Sequence, residues 1–122
     1  MNVERKDHKK TIKVSKETCK QIYEIMKSHK GKNNAIPSKT ISAILGFPLE
    51  DTQVHCRTCI SATADMYRIP IIGCSKGYFL AANKDEVSNY CASMNSRIRG
   101  MKQTKNKVVK YFNEQMERGE ID

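Results

Sequence analysis

The run His55-Cys56-x-x-Cys59 is the part of this sequence whose residue types and spacing best suit metal or nucleophilic chemistry. Two thiolates two residues apart form one half of many structural zinc sites, and an adjacent imidazole is a further ligand type. The second half is missing, because Cys74 and Cys91 are single and His8 and His29 lie far off. Both thiols of the pair also fall at helix positions that suit burial as small apolar groups. A Cys56 nucleophile activated by His55 meets a geometric objection, since neighbours i and i+1 on a helix point in different directions. No Gly-rich phosphate loop, paired-carboxylate arrangement or Ser, His and Asp set at a supporting spacing is present. The expectation is therefore no enzymatic activity, no metal and no cofactor.

A second chemistry is hydrogen bonding to nucleic acid. Thr52, Gln53, His55 and Arg57 fall at the start of a helix expected from about Asp51 to Tyr67, and the first turn of such a helix reaches base edges when it enters a major groove. Gln53 offers donor and acceptor together, as adenine requires, while Arg57 suits guanine or phosphate. Ordinary solvated helix surface is the competing account of Gln53 and His55. Phosphate contacts are expected from Ser38, Lys39 and Thr40, where backbone amides at a helix start add to the side chains. Lys76 in a Ser-Lys-Gly turn, and Arg97 and Arg99 further on, complete that set.

The elements that must position these residues follow from periodicity and turn chemistry. Residues 1–14 carry Arg5, Lys6, Lys9, Lys10 and Lys13 with few apolar partners, which predicts a flexible basic arm. Ser15 caps a first helix whose apolar face holds Cys19, Ile22, Tyr23, Ile25 and Met26, with Gly31 beyond its end. Ala35-Ile36 suits a short strand, and Ser38 an N-cap for a two-turn helix ending at Gly46. In the third helix Cys56, Ile60, Thr63, Ala64 and Tyr67 line one side, whereas His55, Thr58, Ser61, Ala62 and Asp65 turn elsewhere. Two β-prone runs, Ile69 to Cys74 and Tyr78 to Ala82, flank the Ser75-Lys76-Gly77 turn and predict a hairpin. From 84 to about 118 the chain reads as helix again, with Asn83 as cap and a four-residue tail, 119–122. Val87, Cys91, Met94, Ile98, Met101, Val108 and Phe112 repeat at heptad spacing, interrupted by Lys105 and Gln115. This stripe predicts a dimerisation helix, kinked if Gly100 breaks it; packing of the stripe back on its own domain is the other arrangement it permits.

The order helix, short strand, short helix, tight turn, longer helix, hairpin resembles the winged helix-turn-helix proteins of bacteriophages and other bacterial mobile elements. The likeness is carried by Ile22-Tyr23, by Ile36-Pro37-Ser38-Lys39 through Gly46, by Ile69-Pro70-Ile71-Ile72 with Lys76-Gly77-Tyr78-Phe79, and by Ser96-Arg97-Ile98-Arg99-Gly100. It spans roughly residues 15–101, and the Ile-Pro-Ile-Ile to Gly-Tyr hairpin is its most distinctive part. Asp65 and Arg68 depart from the pattern, where a basic residue and a glycine are more usual. The resemblance implies an α+β, mostly α fold: a winged helix-turn-helix domain over 15–83 with a two-stranded wing, followed by the long C-terminal helix. It also implies a sequence-specific reader of double-stranded DNA, a transcriptional regulator acting as a homodimer.

Net charge sharpens the list of partners. The 122 residues carry 22 basic and 13 acidic side chains, a surplus of nine positive charges that favours an anionic partner. Six of the cations (Arg97, Arg99, Lys102, Lys105, Lys107, Lys110) lie in one acid-free stretch. The same surplus also suits a protein-binding inhibitor that occludes a host or defence nucleoprotein, as anti-CRISPR proteins do. No run approaches the roughly 20 apolar residues of a membrane span, and the first residues lack the apolar core of a signal peptide. The expected location is the cytoplasm of a bacterial host. Five cysteines in irregular spacing suit reduced thiols better than a disulfide framework.

Overall fold

The computed structural model describes residues 2–7, 10–48 and 53–119. The chain is α+β and mostly helical, and it divides into two units, Met1–Glu86 and Val87–Asp122.

The first unit opens with strands β1 (Asn2–Asp7) and β2 (Lys10–Ser15), paired antiparallel from Asn2 opposite Ser15 to Asp7 opposite Lys10. This corrects the expectation of a flexible arm over 1–14. In β2 the buried Ile12 and Val14 alternate with exposed Lys13, the period-two pattern of a half-buried strand, and both enter the main core. Two buried apolar side chains anchor a segment whose charge count alone suggests disorder.

Helix α1 (Lys16–Lys27) starts where the sequence places it. The Ser15 hydroxyl accepts from the Thr18 backbone N–H at 3.0 Å, satisfying one of the amides that a helix start leaves without an internal partner. Cys19, Ile22 and Met26 are fully buried at three- and four-residue spacing. The helix ends at Ser28, so Gly31 does not terminate it; at φ 90, Gly31 instead opens a 3-10 turn over Lys32–Asn34.

Helix α2 (Ser38–Leu45) takes Pro37 as its N-cap position, so Ser38 is its first helical residue rather than its cap. Proline's fixed φ presets the entry, and Gly46 at φ 70 closes the other end in the left-handed conformation expected of it. Helix α3 (Val54–Tyr67) begins three residues later than the acidic pair suggests. Gln53 and Arg68 bracket it at φ 55 and 53, the positive-φ non-glycine residues among those described. Cys56, Cys59, Ile60, Ala62 and Thr63 are buried, so Ala62 joins the core rather than the exposed side. Tyr67 stacks on Tyr23 of α1 with ring centroids 4.2 Å apart.

Strands β3 (Ile71–Cys74) and β4 (Gly77–Leu80) form the hairpin the sequence predicts, with Ser75 and Lys76 at its turn. The short strand expected at Ala35-Ile36 appears as a bridge: Ile36 and Tyr78 exchange both backbone hydrogen bonds at 2.8 Å. Gly77 makes this approach feasible, because a Cβ there would collide with the Ile36 carbonyl group.

Helix α4 (Lys84–Glu117) runs without a break through Gly100. Asn83 caps it, its Oδ1 accepting from the Glu86 N–H at 3.0 Å. The Glu86 carboxylate accepts in turn from the backbone N–H groups of Ala82 (2.7 Å) and Lys32 (2.8 Å), bonds that hold its pKa below the ordinary carboxylate value.

Candidate nucleic-acid interface

Three segments of the first unit meet through backbone and side-chain contacts: the start of α2, the first turn of α3 and the β3–β4 hairpin. The Cys56 thiol donates to the Ser38 carbonyl at 3.5 Å, joining α3 to α2. Ile36, two residues before α2, is bonded to Tyr78, joining α2 to the hairpin. Burial raises the pKa of the Tyr78 phenol, the neighbouring Cys56 thiol adds to that, and the charge of nearby Arg57 opposes it, so Arg57 is within electrostatic reach of β4. Each segment presents one exposed cation: Lys39 from α2, Arg57 from α3 and Lys76 from the turn.

The residues expected to read or hold nucleic acid divide into those this arrangement brings together and those it does not. Ser38 is half-buried and Thr40 exposed beside Lys39. The amides of Thr40 and Ile41 both donate to the Pro37 carbonyl, at 3.1 and 3.2 Å. Any anion at this helix start would therefore meet the amides of Ser38 and Lys39. Thr52 lies outside the described residues. His55 is half-buried, its ring set edge-on to Phe47 at 4.6 Å. Gln53 is only 7% exposed, and its Oε1 accepts from the buried Ser42 hydroxyl at 2.8 Å. A side chain so placed is part of the α2–α3 packing, which removes Gln53 from the reading set. Its left-handed backbone aims it inward, a feature that glutamine does not announce in a sequence.

The exposed side of α3 carries Arg57, Ser61 and Asp65 at four-residue spacing, with half-buried Val54 and Thr58 beside them. The Thr58 hydroxyl donates to the Val54 carbonyl at 2.9 Å. Thr58 and Ser61 lie beyond the helix-start positions expected to read bases, on the side of the helix that the sequence turns away from the core. On α4, Arg97 and Arg99 are exposed, as are Val87, Cys91, Ile98, Met101, Val108 and Phe112, while Met94 is half-buried.

The thiols resist the chemistry first considered for them. Cys56 and Cys59 are each 1% exposed, and burial raises both pKa values, that of Cys59 to about 12 with the neighbouring Cys56 and Cys19 adding to the effect. A group that stays protonated at neutral pH is a poor nucleophile and a poor metal ligand. Among the described residues no three His, Cys, Asp or Glu side chains group so as to hold a metal ion. No helix among them is long and apolar enough to cross a membrane.

No protein family matches this chain, and no characterised protein or solved structure matches it either.

Proposed function

We propose that the protein is a sequence-specific double-stranded DNA-binding regulator of the winged helix-turn-helix kind, of bacteriophage or mobile-element type and acting as a dimer. In this reading α2 and α3 are the helix-turn-helix, α3 enters the major groove, and the β3–β4 hairpin is the wing. The observation that carries the proposal is the convergence of Lys39, Arg57 and Lys76 on three adjoining segments that flank a short-chained polar helix face. Cations around a nearly neutral helix surface suit a division of labour in which phosphate contacts position the protein and base contacts specify the site. Arg57, Thr58 and Ser61 are the base-reading candidates; the amides of Ser38 and Lys39, the Thr40 side chain and Lys76 take phosphates. In the second unit Arg97 and Arg99, both exposed on α4, are further phosphate-binding candidates.

Fluorescence anisotropy with duplex DNA, after selection of a preferred site from random oligonucleotides, tests this. Affinity should fall steeply as salt rises, and the selected site should outcompete bulk DNA by at least about a thousand-fold. Arg57→Ala should cost about 1–3 kcal/mol and relax the preference, whereas Lys39→Ala and Lys76→Ala should weaken all sequences alike and each lower the salt slope by about one. Weak, sequence-blind binding at low salt would overturn the proposal and redirect the basic surface to a protein partner in a host or defence nucleoprotein.

A further inference from the structure

Of the ten large hydrophobic side chains exposed among the described residues, nine lie on α4 and only Ile44 lies elsewhere. No residue of α4 is buried. The heptad stripe from Val87 to Gln115 covers four heptads, about 42 Å at the helical rise, a length at which such a seam sustains a coiled coil. Tyr90, Val109, Tyr111 and Met116, all exposed, sit at the positions flanking the seam and widen its apolar surface. A continuous stripe of this extent is matched by a second copy of itself, and the polar residues within it distinguish the two directions in which that copy can lie.

In a parallel, in-register pair each seam residue meets its own equivalent. Lys105 would then face Lys105 inside the seam, and Arg97 on the flank would face Lys102 of the other helix. The whole acid-free stretch of six cations would lie alongside itself. An antiparallel pair whose two-fold axis falls between Ile98 and Met101 removes these conflicts. Ile98 lies opposite Met101, Met94 opposite Lys105, Cys91 opposite Val108 and Val87 opposite Phe112. The Lys105 stem can run along Met94 while its ammonium reaches water. On the flanks Arg97 faces Thr104, Tyr90 faces Tyr111 and Lys102 faces Asn95. Lys107 and Lys110 come to lie beside the uncharged Ala92 and Asn89 segments, and the two helix dipoles oppose one another.

We propose that α4 is the interface for a second copy of this chain, paired antiparallel with its two-fold axis between Ile98 and Met101. This rests on the dimer in the DNA-binding reading and adds a direction to it: the two first units attach at opposite ends of the seam. Light scattering on the full chain across a concentration series should give twice the 13.9 kDa chain mass. Direction is then read with a short bis-maleimide in a Cys74→Ser background. Cys91 alone should give no covalent dimer, nor should Val108→Cys combined with Cys91→Ser, whereas Val108→Cys with Cys91 kept should give one. Positions 91 and 108 of one helix are about 26 Å apart, so the chain cannot link to itself. Linkage through Cys91 alone, or no linkage from any variant, would overturn the antiparallel register while leaving a dimer in place. A monomeric mass at every concentration would overturn the pairing itself and strip the dimer from the DNA-binding reading, whose duplex-binding test stands apart.

Discussion

Gln53 has the amide chemistry that adenine requires and stands just ahead of the helix proposed to read bases, yet it lies against Ser42 in the α2–α3 packing. Replacing it removes a buried acceptor and leaves the Ser42 hydroxyl without that partner, which should cost about 1–3 kcal/mol. Gln53→Ala should therefore lower the midpoint of urea denaturation and leave the preferred DNA sequence unchanged; a changed preference at unchanged stability would return Gln53 to the reading surface. The buried thiols make a second expectation. Above about pH 9 the unfolded chain ionises its cysteines, while the folded chain keeps the Cys59 proton until about pH 12 and holds Cys56 and the Tyr78 phenol protonated beyond their usual range. The unfolded state then binds fewer protons, so stability is fully present below pH 9 and falls as pH rises toward 12. Denaturation series from neutral to strongly alkaline pH would show a flat profile if these groups titrated normally in the fold. Residue identity announced what Gln53, Cys56 and Cys59 can do; the backbone dihedral and the burial that decide what they do arise only from packing.

At the scale of elements, the signals strongest in the sequence are those with a local physical cause. Ser15 caps α1, Gly46 closes α2, Asn83 caps α4, and the Gly-containing turn sets the hairpin register, each through a contact within a few residues. The elements that escaped depend on distant partners. Strand β2 has only Ile12 and Val14 to mark its alternation, and their value lies in a core built mostly from α1 and α3. The beginning of α3 escaped for a related reason: the Glu50-Asp51-Thr52 signature favours a helix start, but the helix opens at Val54 behind the left-handed Gln53. The other end of α3 illustrates a local rule broken. Arg68 occupies a left-handed C-cap at φ 53, with its N–H donating to the Ala64 carbonyl, a position where glycine carries no steric penalty. Arg68→Gly keeps that bond and should stabilise the fold by about 0.5–1 kcal/mol after the entropy it adds to the unfolded chain. Thermal and chemical denaturation check the sign, and a clear loss of stability would mean that the arginine side chain makes contacts outweighing its backbone strain.

Over the whole molecule, the positive surplus is shared: 15 basic and 9 acidic residues in 1–86, and 7 against 4 in 87–122. Apolar burial is not shared at all. Every buried hydrophobic side chain among the described residues lies between Ile12 and Phe79, and α4 contributes none. A chain stopped after Glu86 would keep the complete core, the Asn83 cap and the Glu86 bonds to Ala82 and Lys32. It should unfold in one cooperative transition, with a stability within about 1 kcal/mol of the same transition in the full chain, since changes that touch no buried contact rarely exceed that. The separate segment 87–122 has no such core, and a helix in water draws most of its stability from burying an apolar face. Its helix content, followed by far-ultraviolet circular dichroism, should rise with peptide concentration as copies cover one another's seams. If the DNA-binding surface lies in the first unit, the shortened chain should still bind the selected duplex, but more weakly and with a shallower salt dependence, having lost both the second reading head and the cations of α4. Failure of 1–86 to unfold cooperatively would show that its core needs α4 after all, and unchanged DNA affinity would show that neither the second copy nor Arg97 and Arg99 contributes to binding.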